Sequence, residues 1–301
     1  MRRTLQRLFL ILVLAAAALI AFAYATAVSE PVVRSARIAA PGWPIGAPAL
    51  RLLLLSDIHV GGPDMPPARL ARIVGRINRL RPDIVLIAGD LVTDKRLATR
   101  HYSHQEAVAP LGGLRPRLAT VAVLGNHDHW RDGPAARRAL ARAGIRLLEN
   151  QAVQVGPVAV GGLDDDFTDR ADLPATLAAL RRLAGPRLIL SHSPDPFADP
   201  APDVFLMLAG HTHCGQIAPP LIGPLSTMSD HGRRYACGRV REGGRTLVVT
   251  AGLGTSGIPL RLGAVPDMWL VEIGPRPAAS RLCRRTGRPP GTGRQGRSGW
   301  R

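Results

Sequence analysis

Asp57 and His59 stand two apart in SDIHVGG, Asp90 follows a glycine in AGDLVTD, and Asn126, His127, Asp128 and His129 run together in GNHDHW. His192 lies in SHSPD, and His211 and His213 are again two apart in GHTHCGQ. Carboxylate, amide and imidazole groups are the donors that first-row divalent cations accept, and the same side chains move protons. Any one fragment has a plainer explanation, since a lone histidine at a strand end is usually a cap or a satisfied core group. Five in series are harder to explain by structure alone. They would gather carboxylates and imidazoles at buried edges with nothing to compensate them, and a bound pair of cations is the compensation. Bound divalent ions draw the pKa of a coordinated water towards neutral, so the chemistry implied is metal-assisted. Mixed nitrogen and oxygen donors of this kind suit Mn, Fe or Zn better than an all-oxygen site would.

Strands must position these residues. ALRLLLLS (49–56), DIVLIAGD (83–90), LATVAVLGN (118–126) and RLILSH (187–192) are short apolar runs that stop at polar residues, and they read as buried strands. Between them, 66–80 places Leu70, Ile73, Val74 and Ile77 on one helical face, and 133–145 and 173–185 read as further helices. Apolar runs at 158–163, 204–211, 246–252 and 268–273 suggest a second sheet, and the chain has no internal repeat. Alternating strands and helices predict an α/β layered fold with open sheets. Sites in such folds gather at the carboxyl ends of the strands, which is where all five polar sets fall.

The ordered series D-x-H, G-D, G-N-H-[DE], a lone His and G-H-x-H resembles the calcineurin-like metallophosphoesterases over roughly residues 50 to 275. The resemblance implies a four-layer αββα sandwich of two packed mixed sheets flanked by helices, holding two divalent metal ions. It implies that Asp57, His59 and His213 hold one ion, that Asn126, His192 and His211 hold the other, and that Asp90 bridges them. His127 resembles the family histidine that assists at the leaving group, and Asp128 is expected to orient its ring. His129 reads as a loop residue. Asp94 falls one residue later than the acid of the family's G-D-x-x-D pattern, which touches loop geometry and not the ligands. Lys95 and Arg96 read as solvated loop charges. Ser191, Ser193 and Thr212 lack the partners of an activated hydroxyl and read as loop groups.

With 301 residues, 46% of them hydrophobic, the chain can bury a substantial core. The run LFLILVLAAAALIAFAYATAV (8–28) carries no charge and is long enough to cross about 30 Å of hydrocarbon. Arg2, Arg3 and Arg7 precede it, so the positive-inside rule predicts a single-pass anchor in a bacterial-type cytoplasmic membrane with the catalytic domain on the outer side. The small residues of AFAYATA leave a cleaved signal peptide as the competing reading. The expected organisation is an anchor or signal peptide at 1–30, a linker at 31–48, the catalytic domain at 49–275 and a disordered basic tail at 276–301.

That tail holds eight arginines and no acid, close to half of the formal +17. With aromatic content at 4%, this argues against a nucleic-acid phosphodiesterase, whose substrate face would carry the charge and the stacking rings. Cys214, Cys237 and Cys283 are odd in number and imply no disulfide framework. The expected protein is a monomeric, membrane-associated hydrolase of a phosphoester, with a lipid-linked phosphate among the candidate substrates. The segment 252–273 and the anchor are similar to a membrane-associated branch of the superfamily, some members of which cleave UDP-2,3-diacylglucosamine pyrophosphate in lipid A synthesis. A non-catalytic membrane-bound scaffold is the remaining alternative, and the presence of all seven ligands argues against it.

Overall fold

The computed structural model describes residues 1–95 and 97–275; Arg96 and the tail expected at 276–301 lie outside the described residues. In chain order the elements are α1 (Arg2–Ala27), β1 (Val32–Ala39), β2 (Leu50–Leu55), α2 (Pro67–Arg79), β3 (Ile84–Ala88), α3 (His104–Val108), β4 (Ala119–Val123), α4 (Asn126–Arg142) and β5 (Arg146–Leu147). They continue with β6 (Gln151–Val155), β7 (Val158–Gly162), α5 (Leu173–Arg181), β8 (Arg187–Leu190), β9 (Val204–Ala209), β10 (Gly238–Glu242), β11 (Arg245–Val249) and β12 (Asp267–Gly274).

The strands make two six-stranded sheets, ordered β1-β12-β2-β3-β4-β5 and β10-β11-β9-β8-β7-β6. Both are mixed: β12 runs antiparallel to β2, and the hairpins β6-β7 and β10-β11 are antiparallel, while the central pairs are parallel. Successive side chains on a strand point to opposite faces, so LRLLLL in β2 supplies two cores at once. Leu52 and Leu54 meet Val160, Leu188, Leu190 and Leu206 between the sheets. Leu53 and Leu55 pack outward with Leu70, Ile73, Val74 and Ile77 of α2 and Leu140 of α4. On the far side, Ile189 and Met207 are covered by Leu177 and Leu180 of α5. The result is the four-layer αββα sandwich, and burial on both faces explains why the central strands are unbroken apolar runs.

The segment expected to be a linker at 31–48 is corrected: β1 pairs with β12 in parallel over its whole length, from Val32 opposite Asp267 to Ala39 opposite Gly274. Its arginines hid it, because VVRSARIA is an edge strand with one face in solvent. β6 and β10 are edge strands too, and were not legible for the same reason. α4 starts at Asn126, earlier than the expected 133, with a break at Asp132 where φ is −173°. The cysteine reading also changes, since Cys214 and Cys237 form a disulfide. They stand 23 positions apart, and the turn after β9 meets the returning loop where Thr212 Oγ1 donates to the Ala236 carbonyl at 2.6 Å.

α1 is a candidate membrane span, with mean hydropathy 2.7 over its most apolar 18 residues. Among the described residues, only its last turns are packed on the domain. Ala23 and Ala27 are buried, the Arg261 backbone N–H donates to the Ala23 carbonyl at 3.0 Å, and the Arg69 guanidinium donates to the Ala27 carbonyl at 3.1 Å and to the Ser29 carbonyl at 2.6 Å. A guanidinium on the last carbonyls of a helix satisfies acceptors that have no partner inside the helix and meets the negative end of its dipole.

At the start of α3, His104 is buried with Nε2 unpartnered, and burial, reinforced by Arg131, pushes its pKa down to about 4. The unfolded chain therefore binds the proton at higher pH than the folded one does. The neutral ring is fully accommodated above about 6.5, and this part of the stability is lost as pH falls from there towards 4. The His104→Leu variant is expected to show a shallower fall of Tm between those pH values than the wild type; parallel Tm profiles would contradict this.

Candidate metal centre

The strand ends deliver the polar residues to one place. Asp57 and His59 follow β2, Asp90 follows β3, Asn126 opens α4 after β4, His192 follows β8, and His211 and His213 follow β9. Five of these seven, Asp57, His59, Asp90, His211 and His213, have φ between 46° and 69°. Asp and His tolerate this left-handed region better than most residues, yet each still costs on the order of 1–3 kcal/mol and persists only where surrounding structure enforces it. Turning the backbone there lets the chain leave the strand while its side chain points back along the sheet end.

Two groups of donor atoms result. In the first, His59 Nε2 is 3.1 Å from His213 Nε2, His213 Nε2 is 3.4 Å from Asp57 Oδ1, and His59 Nε2 is 3.4 Å from Asp90 Oδ2. In the second, His192 Nε2 is 3.0 Å from Asn126 Oδ1, 3.1 Å from His211 Nδ1 and 3.3 Å from Asp90 Oδ2. Asp90 Oδ2 therefore belongs to both. Donor atoms bound at about 2.0–2.3 Å to one ion stand about 3 Å apart, which is the spacing found here.

The tautomers of two rings are set by backbone carbonyls. His192 Nδ1 donates to Ala88 O at 2.7 Å and His211 Nε2 donates to Met228 O at 2.9 Å, so His192 Nε2 and His211 Nδ1 are the nitrogens left facing the centre, free to ligate once no proton sits on them. Burial pushes His211 down to about 3 and holds His59 and His213 well below the usual imidazole range. These rings are neutral at ordinary pH, the form that ligates metal. Burial opposes charge on His192 as well, but Asp90, Asp57 and Asp165 outweigh it and raise its pKa well above normal. Burial would raise Asp90, yet His192, His127 and His59 hold it well below the carboxylate range. Asp57 is pushed up to about 6 by burial, with Asp90 adding to the effect. The potential at the shared edge of the two groups is thus one that favours positive charge, and the donor set suits divalent metal binding.

Two glycines let the backbone come this close. A Cβ on Gly125 would fall on the Asp90 carboxylate and within 2.8 Å of the His192 ring, and one on Gly252, at φ 75°, would strike the Asp57 side chain. Around these groups lie contacts that the residue types do not announce. Arg261 is fully buried, donating to the carbonyls of Ala251 and Gly254 at 2.7 and 2.6 Å with Nη2 3.3 Å from His213 Nδ1.

His127 sits at the rim, its Nε2 3.9 Å from Asp90 Oδ2 and 3.5 Å from Ser256 Oγ. Asp128 does not orient it. The Asp128 carboxylate is buried and accepts the backbone N–H of Leu91 at 2.9 Å and of Gly125 at 3.1 Å, tying the β3 and β4 loops together. Being third in the helix, it points back at the helix start, as the third residue of a capping box does. The acid beside His127 is Asp94, whose Oδ1 is 2.7 Å from Nδ1. Burial alone would lower His127, but Asp90 and Asp94 raise it. The extra residue in GDLVTD is absorbed by the loop, so the late acid still arrives.

Lys95 is likewise not solvated: it is buried, with Nζ donating to Asp64 Oδ1 at 2.6 Å and Thr255 Oγ1 at 2.9 Å. His129, expected in a loop, lies instead in the first turn of α4, half-buried and 2.9 Å from Asp164 Oδ1. Ser191 Oγ donates to the Ser193 carbonyl, and no activated hydroxyl arises there.

Comparison with known proteins agrees with this architecture. Residues 50–215 match the family model described as calcineurin-like phosphoesterase. A transmembrane protein with metallophosphoesterase domain from Danio rerio is 32% identical over 279 residues, covering 87% of this chain and 60% of that protein. Its counterpart from Bos taurus is 30% identical, covering 79% of this chain and 56% of that protein. The phosphodiesterase YaeI of Escherichia coli is 31% identical over 243 residues, covering 75% of this chain and 83% of that protein. The chain thus spans a little over half the length of the two transmembrane relatives. On the family model and these identities together, the chain belongs to the calcineurin-like phosphoesterase family.

Proposed function

We propose that this chain is a membrane-anchored, metal-dependent phosphoester hydrolase with a binuclear centre. The observation that carries the reading is the meeting of two buried donor groups on one carboxylate oxygen of Asp90. Asp57, His59 and His213 would hold one ion, Asn126, His192 and His211 the other, and Asp90 both. Two divalent cations, Mn, Fe or Zn, would supply clamping of phosphate oxygens and hydroxide at neutral pH. The chain supplies the rest. His127, held by Asp94 and with its pKa raised by Asp90 and Asp94 against burial, would present Nε2–H to the departing oxygen of the ester. Asp128 keeps the Asn126 and Asp90 loops in register.

The catalytic domain is assigned to the outer side of a cytoplasmic-type membrane. The arginine bias before α1 supports this, and so does the Cys214–Cys237 disulfide, since such bonds persist in oxidising compartments. An uncleaved anchor is favoured because Ala27, in the signal-like AFAYATA, is fully buried against the domain. UDP-2,3-diacylglucosamine hydrolysis, the second reading, needs a cytoplasmic domain, and the disulfide weighs against it.

The test is full-length protein loaded with Mn and assayed on bis-p-nitrophenyl phosphate, p-nitrophenyl phosphate and UDP-2,3-diacylglucosamine. Turnover of the diester is expected; inactivity on all three with metal bound would end the hydrolase reading. An alkaline phosphatase or fluorescent-protein fusion at Arg301 would report the side of the membrane.

A further inference from the structure

The end of the membrane helix and the metal centre share one loop system. Arg261, whose N–H bonds the Ala23 carbonyl, is followed by Leu262, which pairs with the segment after His213: Ala218 N–H donates to Leu262 O at 2.7 Å and Leu262 N–H to Gln216 O at 2.9 Å. That segment runs on to Met228, whose carbonyl accepts the His211 Nε2–H. The loop 217–228 thus starts beside the helix end and finishes on a residue of the metal centre. It carries Leu221, Ile222, Leu225 and Met228 exposed, and Ile258 is exposed on the neighbouring loop, where Gln216 Nε2 donates to its carbonyl. Large apolar side chains exposed together on a loop mark a surface that something covers.

The helix says what covers it. From Arg2 to Phe22 α1 is exposed along its length, whereas Ala23 is already packed on the domain. If residues up to 22 lie in hydrocarbon, the parts of the domain touching Ala23 lie at the bilayer surface. The loop 217–228 and Ile258 are built on those parts, at the side of the metal centre where Met228 holds His211. Trp130 and Phe167, also exposed, stand on the centre's rim, 5.0 Å from the His127 ring and 4.6 Å from the His211 ring.

We propose that loop 217–228, with Ile258, is a membrane-docking surface that seats the mouth of the metal centre against the bilayer. The substrate class this selects is a phosphoester whose apolar chains stay in the membrane while its phosphate reaches the centre. The inference rests on the anchor reading of α1 and deepens the hydrolase reading above. Interfacial segments of this kind bury their apolar side chains about 5–10 Å into the headgroup boundary.

The experiment is depth-dependent quenching in full-length protein reconstituted into vesicles of phosphatidylcholine, with or without bromine on the acyl chains. Ile222→Trp and, as an independent position, Leu225→Trp each add one emitter to the loop; Arg241→Trp adds one on β10, away from that loop. The emission added at 222 and 225 is expected to fall by about half in brominated vesicles, and that added at 241 to be unchanged. Emission at 222 and 225 insensitive to bromine, in protein that stays in the vesicles through a carbonate wash, would overturn the docking surface. A blue-shifted but unquenched emission would also overturn it, the cover then being protein, such as a second copy. Release of the chain by carbonate would instead overturn the anchor reading, and neither result depends on the hydrolase being active.

Discussion

Asp90→Asn is expected to be isolated with its fold intact and with less than one equivalent of metal, against two in the wild type. Asp90 Oδ2 lies 3.4 Å from His59 Nε2 and 3.3 Å from His192 Nε2, which makes it a carboxylate oxygen common to both donor groups. It is also the charge that holds His192 and His127 above their ordinary pKa against burial. Asparagine keeps the shape and removes the charge, so the loss of metal isolates electrostatics from packing. Asp90→Ala removes both and, by leaving buried imidazoles without their counter-charge, is expected to cost about 3–5 kcal/mol of stability as well. Elemental analysis with circular dichroism and thermal melting separates the two variants. Two ions retained in Asp90→Asn would refute the bridging assignment. One ion retained, with His192→Ala losing the other, would restrict it to a single site.

The second large effect is on turnover without loss of metal. His127→Ala should bind both ions and lose about 10² to 10⁴ in kcat, the usual contribution of a positioned proton donor. Asp94→Asn should lose about 10-fold to 100-fold by the same route, because an amide beside Nδ1 no longer supports the protonated ring. Asp128→Asn should separate from both. Its carboxylate accepts the Leu91 and Gly125 N–H groups and burial raises its pKa to about 7, so the change is expected to lower Tm more than kcat. Measuring kcat, metal content and Tm for the three variants gives a pattern in which Asp94 follows His127. An Asp128→Asn variant that lost turnover as His127→Ala does, at unchanged Tm, would return the orienting role to Asp128.

The chemistry of the centre was legible from the chain because it depends on residue type at strand ends, and strand ends show themselves where an apolar run stops. Asp57, His59, Asp90, Asn126, His192, His211 and His213 each follow such a run or open the helix after one. The central strands β2, β3, β4, β8 and β9 were legible for the same reason: both faces are covered, so nearly every residue is apolar. Edge strands share one face with water, and β1, β6 and β10 merge with loop composition.

What spacing could not reach were contacts made across the fold. Which acid serves His127 depended on how the loop after Asp90 bends, and that bend favours Asp94 over the sequence neighbour Asp128. The fate of Lys95 and Arg261 depended on partners at 64, 255, 251 and 254, and the pairing of Cys214 with Cys237 on a loop closing over the β9 turn. Local composition determined the inventory of candidate metal donors, the apolar N-terminal helix and the layered class, because those follow from periodicity and donor chemistry along the chain. Only the tertiary structure decided which donor groups meet, which carboxylate touches His127 and where the apolar helix meets the domain, because each is a distance between residues that the sequence holds far apart.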